Sequence, residues 1–471
     1  MKKGVAWLLF GILIVSFVAV ESKGLRNTLL GDDFVYFEMA KLMAEGKVPY
    51  RDFFNSHPIL HAGVIYLFYL AFGYNMVLLT SIATVSEIAV ALFLFLLVSE
   101  RFGSKAAVVS VLLYLSTYLV PVMGVSVYGV NLALMWTMIG LYCLHKERPA
   151  LAGMLYGLAG LTMLYSLPIT FAVGTYLLVK KRTDSLRFFL GFLAVFGTAN
   201  LALAFIPGYL EQVFFYHMKK LPVEGVSIEF LLTTIRQNGV LFASPFLWLL
   251  FLTRQKLREN SLFLWIIVVY MGFIFSLPIF FDYYLMMIFP YLALLGGAGT
   301  VEFAEQLGKR IRLKHASFIL LVVLLGLFVW YSKESYYILW KYDFLDIRIE
   351  PFVDYINTHS DSQAPIFGDV LFASTLSLET GRPIYHNWAD TNAFIFSSGI
   401  QDIGKLVAEM KEDPPSFVVA RPEMELGAIP EFADFLLEQC RIGLVVDDQF
   451  YGEIFLFECD DENTYKEGAI H

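Results

Sequence analysis

The chain has 471 residues, 58% hydrophobic and only 16% charged, with a mean hydropathy of +0.63. Soluble domains are about 45–50% apolar, so this composition excludes an ordinary soluble enzyme and predicts a polytopic membrane protein. The net charge of −9 is uneven: from Trp340 onward 25 acidic residues stand against 8 basic ones, and an acidic tail on a mildly basic, hydrophobic body argues against nucleic acid as a partner.

Residues 1–20 carry Lys2 and Lys3 ahead of an apolar run. No small-residue cleavage site follows, so this reads as an uncleaved first helix with a cytoplasmic N-terminus. A long first loop spans 22–57. Asp32 is a plausible helix cap there. Val35, Met39, Leu42 and Met43 then share one helical face, and Glu38, Lys41 and Glu45 another. That pattern predicts an amphipathic helix lying in the membrane interface and ending at Gly46 and Pro49. The apolar stretch 60–72 is short for a span of about 20 residues. It is expected to lie along the surface or to re-enter.

Further spans are predicted at 76–98, 106–123, 130–144, 151–163, 164–179, 188–206, 240–252, 262–281, 284–299 and 318–331, eleven in all with the first. With the N-terminus inside, the short inner segments carry 17 Lys and Arg, and the longer outer loops carry 8. This bias obeys the positive-inside rule. It places the Asp32-Asp33 loop, the 207–238 loop, Asp282 and the C-terminal region outside, in a cell membrane. Glu87 falls within a span, where a carboxyl needs a partner. A Ser, Thr or Tyr across a helix contact is expected.

After about residue 341 the composition changes. Short strand candidates at 365–368, 416–420, 443–446 and 453–457 alternate with amphipathic helix candidates at 351–358, 371–380, 398–411 and 430–440. The alternation predicts a small α/β layer domain. The fold class is therefore a polytopic helical membrane body, residues 1–340, followed by an extracytoplasmic α/β domain, residues 341–471. Cys440 and Cys459 lie in that domain and could pair if it is extracytoplasmic; two unpaired thiols is the equal alternative.

Three stretches carry a resemblance. The first is Gly31-Asp32-Asp33, Tyr36 and Ala40, followed by 46–53 (GKVPYRDF) and His57-Pro58. The second is the small-residue run 153–162 (GMLYGLAGLT). The third begins at Asp282-Tyr283-Tyr284-Leu285 and continues through 290–295 (PYLALL). Together they resemble the GT-C glycosyltransferases, the superfamily of protein O-mannosyltransferases and lipid A aminoarabinose transferases. The resemblance implies sugar transfer on the outer face from a polyprenyl- or dolichyl-phosphate donor to a lipid, glycan or protein acceptor. The first-loop acid would be the base, or would support a divalent ion. The chain departs from the pattern at Met163, where many relatives have Lys after Leu-Thr. It also has no acid in 121–131.

The chemistry needs a base for the attacking hydroxyl and donors for a phosphate leaving group. Asp33 and Asp32 are the candidate bases, with Asp33 slightly preferred and Asp32 the alternative cap. Arg51 and His57 are candidates for the phosphate, beside Tyr50 and Asp52 in the same loop. Arg51 alternatively pairs with Asp52. Lys219, Lys220 and Arg236 are further phosphate candidates or simply a solvated loop face. Asp282, Tyr283 and Tyr284 contact sugar or phosphate, or form an aromatic belt. A divalent metal, if bound, would use Asp32, Asp33 and His57. Two competing readings are a transporter or flippase of a lipid-linked glycan, which expects repeated halves, and a non-catalytic receptor or assembly subunit that binds through its acidic tail.

Overall fold

The computed structural model describes residues 1–25, 31–219, 228–277, 280–311, 349–422, 424–448 and 451–459, and single helical residues between 319 and 333. The expected span at 318–331, the boundary at 340/341 and Lys220 lie outside the described residues, apart from those single positions.

Most of the body is helical. Five described helices are long and apolar enough to cross a membrane: Lys3–Gly24, Met76–Arg101, Arg182–Leu203, Arg254–Ile274 and Asp282–Arg310. The other expected spans appear as shorter apolar helices, among them Ser104–Leu115, Val130–His145, Pro149–Thr162 and Gly239–Leu249. The eleven-span count is therefore not reproduced by length alone. The third expected span is broken at Ser116 and resumes as Leu119–Met123.

The small-residue run at 153–162 has a packing cause. A Cβ on Gly153 would lie 1.9 Å from the Phe188 carbonyl oxygen, and one on Gly191 would lie 2.1 Å from that of Ala150. Helices Pro149–Thr162 and Arg182–Phe192 thus touch backbone to backbone, the mode by which small residues hold helices together in lipid. Helix Phe289–Ile311 runs through the middle of the bundle, with Tyr291, Leu294 and Leu295 fully buried. Glu87 meets the Tyr114 hydroxyl across the contact of two helices, the partner type expected. Glu21 is also buried. The first helix runs on to Gly24 and does not stop at residue 20.

The helix Asp32–Ala44 forms where expected but does not float in the interface. Nine of its 13 residues are buried, Glu38 among them. It lies between the helix Ile59–Phe72 and the C-terminal region. Lys41 Nζ donates to Glu38 at 3.1 Å, to Ser377 Oγ at 2.9 Å and to the Arg382 carbonyl at 3.0 Å. The face read as water-facing is therefore a docking face. Val35, Met39, Phe352 and Leu376 belong to one continuous core.

That C-terminal region holds a mixed four-stranded sheet in the order β1-β2-β4-β3, with β1 Ile366–Gly368, β2 Phe417–Ala420, β3 Arg441–Asp448 and β4 Gly452–Glu458. β1 and β2 are parallel; β4 is antiparallel to both β2 and β3. Helices Glu350–His359, Ala373–Thr380, Ile403–Glu412 and Pro430–Gln439 match the expected positions within a few residues, except that the third starts later. At the strand ends Arg421 Nε meets Asp369 at 2.7 Å, both buried. Cys440 and Cys459 form a disulfide that closes the β3–β4 hairpin.

Candidate active site

The helix Asp32–Ala44 begins at Asp32 itself. Gly31 occupies the cap position, and no side-chain cap bond forms. Asp32 is therefore not the cap the sequence suggested. Successive helical residues point about 100° apart, so the two acids face different surroundings. Asp33 turns inward, is 1% exposed and accepts a hydrogen bond from the Val127 backbone N–H at 2.5 Å. Burial raises its pKa to about 8, the Val127 bond opposes this, and the charge of Asp32 adds to it. Asp32 is half-buried. Its charge acts on the hydroxyls of Tyr36, Tyr128, Tyr283 and Tyr216, so a group of tyrosines shares its surroundings.

That group is tightly built. Tyr128 stacks on Tyr283 at 5.3 Å and 4°, and Tyr165 lies 4.1 Å from Tyr284. Tyr36, one helical turn beyond Asp32, shares a 2.8 Å hydrogen bond with His57 Nε2. The His57 ring stands 5.6 Å from His61 and 6.4 Å from His217. His61 Nε2 donates to the Val127 carbonyl at 2.7 Å. Gly129 has a φ of +79°, and a Cβ there would press on the His61 ring at 3.2 Å.

Beside His57 opens a cavity of about 560 Å³. Its walls are mainly apolar, including Met163, Leu167, Phe171, Val269 and Phe273, and two imidazoles, His57 and His217, share the lining with Tyr165. The position that departs from the GT-C pattern, Met163, therefore faces this cavity.

The remaining candidates divide. Arg51 forms a two-pronged pair with Asp52 at 2.8 Å, exposed and outside the cavity lining. This is the alternative reading of Arg51, not the phosphate role. Tyr50 is buried, donates to the His57 carbonyl at 2.9 Å and packs on Tyr209. Lys219 and Arg236 are exposed and do not line the cavity. Asp282 accepts from the Tyr283 N–H at 2.8 Å and holds the turn that places both tyrosines. Among the described residues no three His, Cys, Asp or Glu side chains converge as a metal site requires. Asp33 faces away from Asp32, and His57 Nε2 is engaged by Tyr36, so the three suggested ligands do not form a set.

Sequence reasoning missed His217, Tyr165 and Gln212. His217 Nε2 donates to the Ser56 carbonyl at 2.9 Å. Gln212 is buried in a π-helical turn, Glu211–Phe215, and staples the first loop. Its Nε2 donates to the Tyr50 carbonyl at 2.7 Å, and its Oε1 accepts from the Asn55 N–H at 2.9 Å. A lone π turn often marks a functional site, but no sequence signal announces one.

Comparison with known proteins agrees on the fold. No protein-family model matches the chain, and no curated protein does. Among solved structures, the chain is similar to ArnT from Cupriavidus metallidurans in the apo state, with a TM-score of 0.69 and 14% identity over 97% of this chain and 98% of that one. The same ArnT bound to undecaprenyl phosphate gives a TM-score of 0.66, again at 14% identity with 97% and 98% covered. The arabinofuranosyltransferase AftD from Mycobacteria gives 0.56 at 12% identity, with 98% of this chain spanning 40% of that one. The chain shares the fold of ArnT almost end to end, in agreement with the fold that the first-loop and late-helix motifs led one to expect.

Proposed function

We propose that this chain is a membrane glycosyltransferase that moves a sugar from a polyprenyl-phosphate carrier to an acceptor hydroxyl on the outer face of the membrane. The observation that carries this reading is an apolar cavity with two imidazoles in its lining, one of them hydrogen-bonded to Tyr36, which stands one helical turn from the half-buried Asp32. Undecaprenyl phosphate bound to an ArnT of the same fold supports a donor of that class. The apolar walls take isoprene units. His57 and His217 are the two imidazoles of that lining, the polar side chains placed to meet the phosphate where Met163 replaces the lysine.

In the transfer, Asp32 takes the proton of the acceptor hydroxyl as its oxygen bonds to the anomeric carbon. The bond from that carbon to the phosphate oxygen breaks, and its electron pair leaves with the phosphate. The phosphate departs as an anion, so it needs hydrogen-bond donors more than an acid. Asp33 is a positioning residue that fixes the start of its helix against the Val127 backbone N–H. The excess of Lys and Arg in the inner segments and the Cys440–Cys459 disulfide both support an outward-facing site.

The test uses undecaprenyl phosphate as probe, with the full chain in detergent and native mass spectrometry as readout. Saturable binding that weakens at least about tenfold in His217→Ala and His57→Ala is expected, one tenfold step being about 1.4 kcal/mol. Binding that neither substitution changes, or no binding, removes the donor assignment.

A further inference from the structure

A second, smaller cavity of about 180 Å³ lies where the first loop meets the C-terminal region. Pocket volumes for drug-sized ligands run about 300–1,000 Å³, so this one suits a single ring. Its lining differs from that of the apolar cavity. Trp388 supplies an indole held from behind by Phe396 at 5.8 Å and 17°. Asn387 and Gln401 supply amides, Asp52 and Asp390 carboxylates, and Arg51 a guanidinium. Ring hydroxyls both donate and accept hydrogen bonds, and this set offers both kinds of partner. The C–H face of a sugar stacks on an indole.

The backbone around it is strained. Five described non-glycine residues have positive φ, and three of them, Tyr50 at 70°, His386 at 44° and Asn387 at 63°, line this one cavity. Such conformations cost about 1–3 kcal/mol each and cluster at ligand sites. Tyr50 joins this cavity to the apolar one: it lines the small cavity and donates to the carbonyl of His57, which lines the large one. Asp390 and Asp32 both act electrostatically on Tyr36 and on Tyr216.

We infer that this cavity is the acceptor subsite and that it takes a saccharide ring, with Trp388 as platform and Asp390, Asn387 and Gln401 as hydroxyl partners. The inference rests on the glycosyl-transfer reading above and names the acceptor class for it. It also gives the pair Arg51–Asp52 a role: it walls the acceptor side and not the donor side.

The test uses full-length protein in detergent and a panel of methyl glycosides of glucose, galactose, mannose and N-acetylglucosamine, read by saturation-transfer NMR. Undecaprenyl-phosphate binding is measured on the same samples. At least one glycoside is expected to bind, with its dissociation constant raised fivefold or more in Gln401→Leu and Asp390→Asn. Gln401→Leu is the variant least exposed to misfolding, because among the described residues no side-chain hydrogen bond of Gln401 holds the fold. Glycoside binding that neither substitution weakens overturns the location. Absence of glycoside binding in protein that still binds undecaprenyl phosphate overturns the subsite alone. A serine-containing peptide that binds in its place, with the same dependence on Gln401, overturns the saccharide class. Glycoside binding without undecaprenyl-phosphate binding upholds the subsite and removes the donor reading.

Discussion

Asp33 and His61 hold the same residue from opposite sides: the carboxylate accepts from the Val127 N–H at 2.5 Å, and the imidazole donates to the Val127 carbonyl at 2.7 Å. The helices Asp32–Ala44 and Ile59–Phe72 thus clamp one residue between them. Tyr128, the next residue, is thereby set against Tyr283. In Asp33→Ala the Val127 N–H loses its partner inside the protein, at a cost of about 1–3 kcal/mol. Asp33→Asn keeps an acceptor oxygen and is expected to stay folded and largely active. Thermal unfolding of the two variants in detergent, beside wild type, checks the difference.

The pH dependence has a definite sign. Burial raises the Asp33 pKa from 3.8 to about 8, and burial also raises Glu38 from 4.5 to about 7 against the pull of Lys41. The folded protein therefore holds protons that the unfolded chain releases. Stability from these groups is greatest at low pH and falls as pH rises from about 4 towards 8. The melting temperature is expected to decline across that window and to decline less in Asp33→Asn and Glu38→Gln. A wild-type profile that rises from pH 5 to 8 and is unchanged by both substitutions contradicts the assignment.

Removing Lys41 strikes the joint between the first loop and the C-terminal region. Lys41→Met deletes bonds to Glu38, Ser377 and the Arg382 carbonyl. The expected loss is about 1–3 kcal/mol and not the larger cost of a stranded buried charge, because Glu38 already titrates near neutrality and can take up a proton. Limited proteolysis of Lys41→Met should open the C-terminal region sooner than in wild type.

The disulfide gives a local check on compartment and stability. Cys440 and Cys459 are 19 residues apart. Cross-links of this loop size contribute about 2–4 kcal/mol. Cys440→Ser is expected to lower the unfolding free energy by that amount, and the melting point with it. Mass shifts after alkylation with and without reductant should show the pair oxidised in protein from the membrane. Two free thiols there would oppose an outward C-terminal region.

Much of this arrangement was legible along the chain, and the limits have physical reasons. The Asp32-Asp33 loop, the late tyrosines, the strand positions and the partner type of Glu87 follow from local pattern. The choice between Asp32 and Asp33 does not. It depends on where the first helical turn begins, and a one-residue shift moves each side chain by about 100°. Glu38 and Lys41 read as a wet face because their covering residues, Ser377 and Arg382, lie more than 300 positions away. Lys219 and Arg236 are cations of the 207–238 loop, yet the cavity is lined by His217, whose imidazole neighbours the first loop only in three dimensions. Trp388 and Asp390 carry no motif at all.

Asp32 and Asp33 are adjacent, yet their loss is expected to affect transfer very differently. The deciding measurement is turnover of a polyprenyl-phosphate-linked sugar by membranes holding wild type, Asp32→Asn or Asp33→Asn at equal protein levels. General-base catalysis is worth about 10²–10⁴-fold. The prediction is a loss of that size in Asp32→Asn, with Asp33→Asn within about tenfold of wild type. Full turnover in Asp32→Asn, or a loss confined to Asp33→Asn, contradicts the assignment.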